Sequence, residues 1–307
     1  MLKYVQRRLL IAIPVVWGVT TIVFFLMRIL PGDPAQLMLS TSGGSSEQIA
    51  RLRESLGLND PLLVQYANFV RGAVHGDLGP SFRSNLPVTQ QIREQLPATI
   101  QLTVASMVLA TVIGIVLGIA SAVWQHSWVD SLAMSIAMVG ICAPTFWLGL
   151  VLIFVFSFRL HWLPATGSEG LDRLILPAIT LGLGSAAVIA RLVRSSMIEA
   201  LHQEYVVVAR AKGLSDLRTT LSHALKNALI PAVTLVGLQF GYLLGGAVIV
   251  ESVFSRQGIG RLAVTAIIAK DYTVVQGVVL FVAAAYVLVN LVVDLLYGFL
   301  DPRIRYG

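Results

Sequence analysis

Long apolar segments constrain this chain more than any other feature of its sequence. A bilayer core of roughly 30 Å takes about 20 apolar residues at the helical rise. Six segments reach or approach that length: about Leu9 to Met27, Thr99 to Val123, Ser131 to Ser157, Ile175 to Val193, Ile230 to Val250 and Gln276 to Gly298. A water-soluble fold of this size could not bury so many helices that are apolar on every side. With 56% hydrophobic and 12% charged residues over 307 positions, the chain's main solvent is lipid. The expectation is an all-α polytopic membrane protein with six transmembrane helices.

Orientation follows from the basic residues near span ends, which collect in the cytoplasm. Lys3, Arg7 and Arg8 place the N-terminus inside, and six crossings return Arg303 and Arg305 to the same side, together with Arg210, Lys212, Arg218 and Lys226. The first span is too long for a signal peptide and lacks a small-residue cleavage site, so it reads as an uncleaved anchor. The net charge of +6 is therefore a matter of topology and not of nucleic-acid binding. Between the first two spans, Ser40 to Ser46 reads as a loop, and Glu47 to Leu56 and Leu62 to Val74 as short amphipathic helices. This divides the chain into residues 1–98, the first span with an extracytoplasmic cap, residues 99–298, the helical core with a cytoplasmic loop at about 195–229, and residues 299–307, a cytoplasmic tail.

Within the spans, Gly237, Gly241 and Gly245 recur every fourth residue and bare one face of span five for close helix packing. Gly114 and Gly118 do the same in span two, or simply reflect the glycine richness of membrane helices. Pro14, Pro144, Pro177 and Pro231 each remove a backbone donor and are candidate kinks. Buried polar candidates are few. Gln239 either lines a lumen or bonds a neighbouring helix, and Asn290 with Asp294 reads as a structural pair. The histidines at 75, 126, 161, 202 and 223 have no metal-ligand spacing, and Cys142 reads as a small packing residue. There is no G-x-x-x-x-G-K-[ST], H-E-x-x-H or G-x-S-x-G, so neither a nucleotide site nor a catalytic constellation is legible, and no cofactor is called for on this chain.

The polar stretch between spans four and five is the exception to this apolar pattern. Glu199 to Lys212 reads as a helix with Leu201, Tyr205, Val208 and Lys212 on one side; Gly213 stops it, and Ser215-Asp216 cap a second, amphipathic helix. Leu217, Leu221, Ala224, Leu225, Ala228 and Leu229 form its apolar face, opposite Arg218, Ser222 and Lys226. Such a hairpin either docks a cytoplasmic partner or rests on anionic lipid.

The stretch resembles the EAA loop of binding-protein-dependent ABC importer permeases, E-Y-x-x-x-A-R-A-K-G-x(9)-H-x(3)-N-x(3)-P: Glu204, Tyr205, Ala209, Arg210, Ala211, Lys212, Gly213 and Leu214, then His223, Asn227 and Pro231. Further matches are Pro31-Gly32-Asp33-Pro34, Leu56-Gly57-Leu58 with Pro61, Gly76-Asp77-Leu78-Gly79, Glu251 with Phe254, Gly258 with Gly260, and Asp301-Pro302-Arg303 with Arg305-Tyr306. Together they are similar to the B-type permease subunit of the dipeptide, oligopeptide, nickel and glutathione importers, along essentially the whole chain. Val207 and Val208 depart from the pattern, since many members carry a polar or basic residue there.

The resemblance implies a type I ABC importer transmembrane domain in a bacterial inner membrane. It implies a heterodimer with a second permease subunit, two cytoplasmic ATPase subunits and an extracytoplasmic substrate-binding protein. Glu204 to Leu214 would seat in the ATPase and couple its closure to spans four and five. The implied cargo is a small peptide, a dipeptide, oligopeptide or glutathione. Nickel is the alternative within the family, and a self-powered secondary transporter is the alternative outside it.

Overall fold

The computed structural model describes residues 2–29, 33, 35–36 and 45–300. In chain order its helices are α1 (Leu2–Ile29), α2 (Ser46–Ser55), α3 (Leu62–Val74), α4 (Val88–Val123), α5 (Trp128–Cys142) and α6 (Thr145–Leu152). They continue as α7 (Asp172–Leu201), α8 (Glu204–Ala211), α9 (Asp216–Thr219), α10 (Leu225–Val253), α11 (Ile259–Ile268) and α12 (Tyr272–Leu300). No strand occurs among the described residues; one isolated bridge pairs Pro80 with Pro87. Pro31, Gly32, Pro34, Ser40 to Gly44 and the Asp301–Tyr306 motif, with Arg303 and Arg305, lie outside the described residues, as does the side chain of Asp294.

Five helices are long and apolar enough to cross a bilayer singly, at Leu10–Ile29, Val88–Val123, Asp172–Leu201, Leu235–Val253 and Tyr272–Val293. The expected third span is not one helix. It consists of α5 and the pair Thr145–Arg159, which meet at 111°. Proline explains the break. Pro144 has no N–H, and it holds the preceding Ala143 in an extended conformation, φ −72° and ψ 126°, so α5 ends at Cys142. Beyond α6 the chain continues as a π-helical stretch, Ile153–Arg159. The six-span fold therefore holds when the bent pair is counted as one crossing.

Contacts group the chain into two compact units, residues 1–97 with 257–288, and residues 98–256 with 289–307. In the first unit, Met27, Phe82, Val88 and Ile92 share a core with Ile259, Ala266, Tyr272, Val275 and Val278. The cap helices have no buried side chains of their own, so segment 257–288, which the sequence reading kept with the core, supplies this unit's apolar cover. Helix α3 is held to α1 by aromatic packing, Phe24 stacking on Phe69 at 5.8 Å and meeting Tyr66 edge-on at 5.2 Å. Asp271 caps α12 by accepting from Val274 N–H, and it also accepts from the Ser81 hydroxyl and Phe82 N–H.

In the second unit α7 is the central helix. Some 61% of its apolar window is buried, against 28% for Leu235–Val253, and α5 and α10 both pack along it. Its small residues make this possible. Gly182 and the buried alanines 178, 186, 187, 190 and 200 let neighbouring backbones approach. Near the end of α10, Glu251 is fully buried and accepts from Thr99 Oγ1 at 2.6 Å. Arg256 is equally buried and donates to Ala98 O, Ser168 O and Gln101 Oε1. Burial pushes its guanidinium below the ordinary range and Glu251 opposes the shift. These two charges belong to a hydrogen-bonded structural network, which is how buried charge is tolerated.

Candidate functional site

The polar stretch folds as a helical hairpin, with corrections to its expected phase. Helix α7 stops at Leu201, and Gln203 is extended, φ −74° and ψ 149°, so α8 starts anew at Glu204 where one continuous helix was expected. Val206 and Ala209 are the residues of α8 that are buried, and Val206 joins Met197, Ala200, Ala224 and Ala228 in one cluster. Tyr205 and Val208, expected on one side with Leu201 and Lys212, are exposed, and so is Val207 at 60%. Restarting the helix at Glu204 resets its rotation, and the covered positions are Val206 and Ala209.

Helix α8 ends in a Schellman motif. Gly213 N–H donates to Arg210 O at 2.9 Å and Leu214 N–H to Ala209 O at 3.3 Å, with Gly213 at φ +82°. A Cβ at Gly213 would meet nothing within 4 Å, so glycine is required by the backbone angle and not by space. Ser215 sits at the start of α9 without a side-chain capping bond, contrary to expectation, and Asp216 instead pairs with Arg210 at 3.1 Å. Across the turn, α9 passes through a π-helical stretch, Thr220–Ala224, into α10. Ala224 and Ala228 are buried with Leu225 and Leu229 packed beside them, as expected, but before the π-helical stretch shifts the phase Thr219 takes the covered position, Thr220 follows it, and Leu217, at 71%, and Leu221 are exposed. Asn227 and Pro231 line a pocket of about 320 Å³ with Glu199, Gln203 and Tyr205. The hairpin thus presents Glu204, Tyr205, Val207, Val208, Arg210, Ala211 and Lys212 outward.

A clamp that the sequence reading missed lies close to the hairpin in the chain. Arg194 of α7 grips Asp130 of α5 with both arms of its guanidinium, Nε to Oδ1 and Nη2 to Oδ2, each at 2.8 Å. Ser121 of α4 donates to the same carboxylate, and His126 N–H adds a bond at 3.1 Å. Three helices therefore meet at one carboxylate. Bidentate, charge-assisted bonds are among the strongest a protein makes and fix the geometry of both partners. The available signal was an acidic residue in the first turn of an otherwise apolar helix.

The glycines divide in an unexpected way. A Cβ at Gly114 would lie 2.7 Å from Ile189 Cβ, and one at Gly118 would lie 2.7 Å from both Ala190 O and Val193 Cβ, so α4 lies directly on the backbone of α7. On α10, Gly237 is equally tight against Val293, at 2.6 Å, and Gly241 is buried, but Gly245 is exposed with nothing within 4 Å. Further along the same helix, Gln239 and Tyr242 line a cavity of about 460 Å³ with Gly140, Cys142 and Thr145 at the α5–α6 break and Thr180 of α7. Among the described residues no group of three or more His, Cys, Asp or Glu side chains could hold a metal ion.

The chain is by class a polytopic helical membrane protein with one bent span and a polar hairpin between two of its crossings. Its residues 114–306 match the family model of binding-protein-dependent transport system inner membrane components, and residues 1–103 match that family's N-terminal model. The chain belongs to this family. It is 45% identical over its whole length, and that of the relative, to the glutathione transport system permease protein GsiC of Escherichia coli. It is equally 45% identical, again at full length in both chains, to the dipeptide transport system permease protein DppB of Alkalihalophilus pseudofirmus. Among solved structures it shares its fold with a chain of the MetNI methionine ABC transporter, at TM-score 0.60 and 18% identity, covering 69% of this chain and 97% of that one. An amino acid ABC transporter chain matches at TM-score 0.53, covering 70% and 94%.

Proposed function

We propose that this chain is the permease subunit of an ATP-driven ABC importer and forms half of the membrane path for a small peptide. A second permease subunit supplies the other half, two cytoplasmic ATPases power the complex, one of them seating the Glu204–Leu214 hairpin, and an extracytoplasmic binding protein delivers the cargo. The membrane is a bacterial inner membrane, with both termini and the hairpin in the cytoplasm. The observation that carries the reading is the hairpin itself. Its covered residues, Val206 and Ala209, join it to the apolar cluster that also holds α7 and the start of α10, while its outward face combines charge with exposed valines. A lipid-resting helix would be expected to present its apolar side continuously. Here charged and apolar groups share one face, which suits a protein cleft. Full-length likeness to glutathione and dipeptide permeases supports peptide cargo over nickel, as does the absence of a metal-ligating cluster among the described residues.

The test is uptake by the complex reconstituted in liposomes with its ATPases and binding protein. ATP-dependent peptide accumulation is expected, insensitive to collapse of ion gradients. Glu204→Lys should assemble but lose the rise in ATP hydrolysis on adding loaded binding protein; full stimulation in that variant would count against the hairpin as the coupling element. Reporters fused at Ser45 and within Glu204 to Lys226 should lie on opposite sides of the membrane.

A further inference from the structure

We infer that the α5–α6 break is a binding station that reads the main chain of a peptide; the inference rests on the peptide-importer reading and adds where and how the cargo is held. Backbone accounting comes first. The last closed bond of α5 runs from Ala143 N–H to Val139 O at 2.9 Å. Pro144 has no N–H to give Gly140, and among the described residues no backbone bond reaches the carbonyls of Ile141 or Cys142. Unpaired carbonyls at membrane depth persist only where they line a cavity or are covered by protein. The residues that carry these carbonyls line the cavity of about 460 Å³, a volume ordinary for small-molecule sites.

The rest of the lining matches a peptide unit. Gln239 offers an amide that both donates and accepts, and Tyr242 and Thr145 offer hydroxyls. Thr180 spends its proton on Leu176 O, at 2.8 Å, and keeps an acceptor lone pair. No Asp, Glu, Lys, Arg or His lines the cavity. A charged side chain of the cargo therefore meets no counter-ion, whereas a repeating N–H and C=O meets the free carbonyls and the Gln239 amide. Such a site recognises what every peptide shares and ignores what distinguishes one peptide from another. That is the specificity a path needs when a separate binding protein selects the cargo.

The chain carries its own reporter, because Cys142 is its single cysteine, is exposed and lines the cavity. In the assembled complex with cysteine-free partners, the rate of Cys142 modification by N-ethylmaleimide is measured with trialanine and with its analogue in which ester oxygens replace the amide N–H groups. Trialanine should slow modification about fivefold or more, the ester analogue should not, and Gln239→Leu should abolish the protection. Photocrosslinking with a diazirine-bearing tripeptide should mark residues 140–145. Trialanine uptake without protection or crosslinks, or equal protection by the ester analogue, overturns the station while leaving the importer standing. Absence of any peptide uptake overturns the peptide reading and the station with it.

Discussion

Gly118→Val tests the close seating of α4 on α7. At that position a Cβ already falls 2.7 Å from Ala190 O and from Val193 Cβ. Carbon–carbon contact is comfortable at about 3.5–4.0 Å, so α4 must retreat from α7 by at least about 0.8 Å before the two valine methyls are added. One obstacle is a backbone carbonyl, which no rotamer change can move aside. Overpacking of this kind costs about 1–3 kcal/mol, and the unyielding carbonyl places Gly118→Val at the upper end. In a chain of this size that corresponds to a fall in Tm of about 4–5 °C. Gly18→Val is the matched control, since a Cβ there meets nothing within 4 Å. The assay is thermal unfolding of the purified subunit in detergent, followed by intrinsic fluorescence. Equal melting temperatures for both variants would refute the direct seating of α4 on α7.

Three other substitutions probe the remaining features. Asp130→Ala strands the fully buried Ser121 hydroxyl and the His126 amide; with Arg194 28% exposed and able to reach water, the loss should be about 2–4 kcal/mol. Thermal unfolding reads that loss, and Arg194→Lys, which keeps the charge but not the fork, should cost less. Gly213→Ala has room but a left-handed backbone, so it should weaken the turn by about 1–2 kcal/mol, while Gly213→Asn should retain more of the ATPase response to loaded binding protein. Gly245→Leu meets open space within the chain, so the subunit should insert and fold normally but copurify poorly with the second permease; undiminished copurification would turn that face toward lipid.

What the sequence made legible is what local chemistry decides. A long apolar run has few fates, so the spans emerged, although Val88–Val123 begins well before the expected Thr99 and Asp172–Leu201 runs well past the expected Val193, because polar helical turns extend both beyond their apolar stretches. The cap helices emerged too, because Ile49, Leu52 and Leu56 repeat at helical spacing. Gly213 was legible because a helix stop needs a residue free to adopt positive φ. The break at Pro144 was noted as a possible kink but not as two helices, since hydropathy runs unbroken across a single proline. In the second helix of the hairpin Ala224, Leu225, Ala228 and Leu229 were legible as the covered face, but Leu217 and Leu221 fall outside it because the π-helical stretch resets the rotation, which leaves no mark in side-chain periodicity. The Asp130–Arg194 clamp joins residues 64 positions apart, and only the packing of α5 on α7 reveals that they meet. Gly114 and Gly118, the less convincing glycine pair in the sequence, both turned out to be tight contacts, whereas of the three on α10 Gly245 meets open space.

The clamp also has a mechanical consequence. A rod gripped near one end turns about the grip, and Arg194 lies close to the end of α7 that leads into the hairpin. At 1.5 Å per residue the helix extends about 10 Å from Arg194 to Leu201 and about 33 Å from Arg194 back to Asp172. With Asp130 as fulcrum the two arms stand at about one to three. A 1 Å displacement imposed at the short end then becomes roughly 3 Å at the long end, in the opposite direction. On the coupling role proposed for the hairpin, a small stroke there would be geared up to the size of a side chain at the far end of α7.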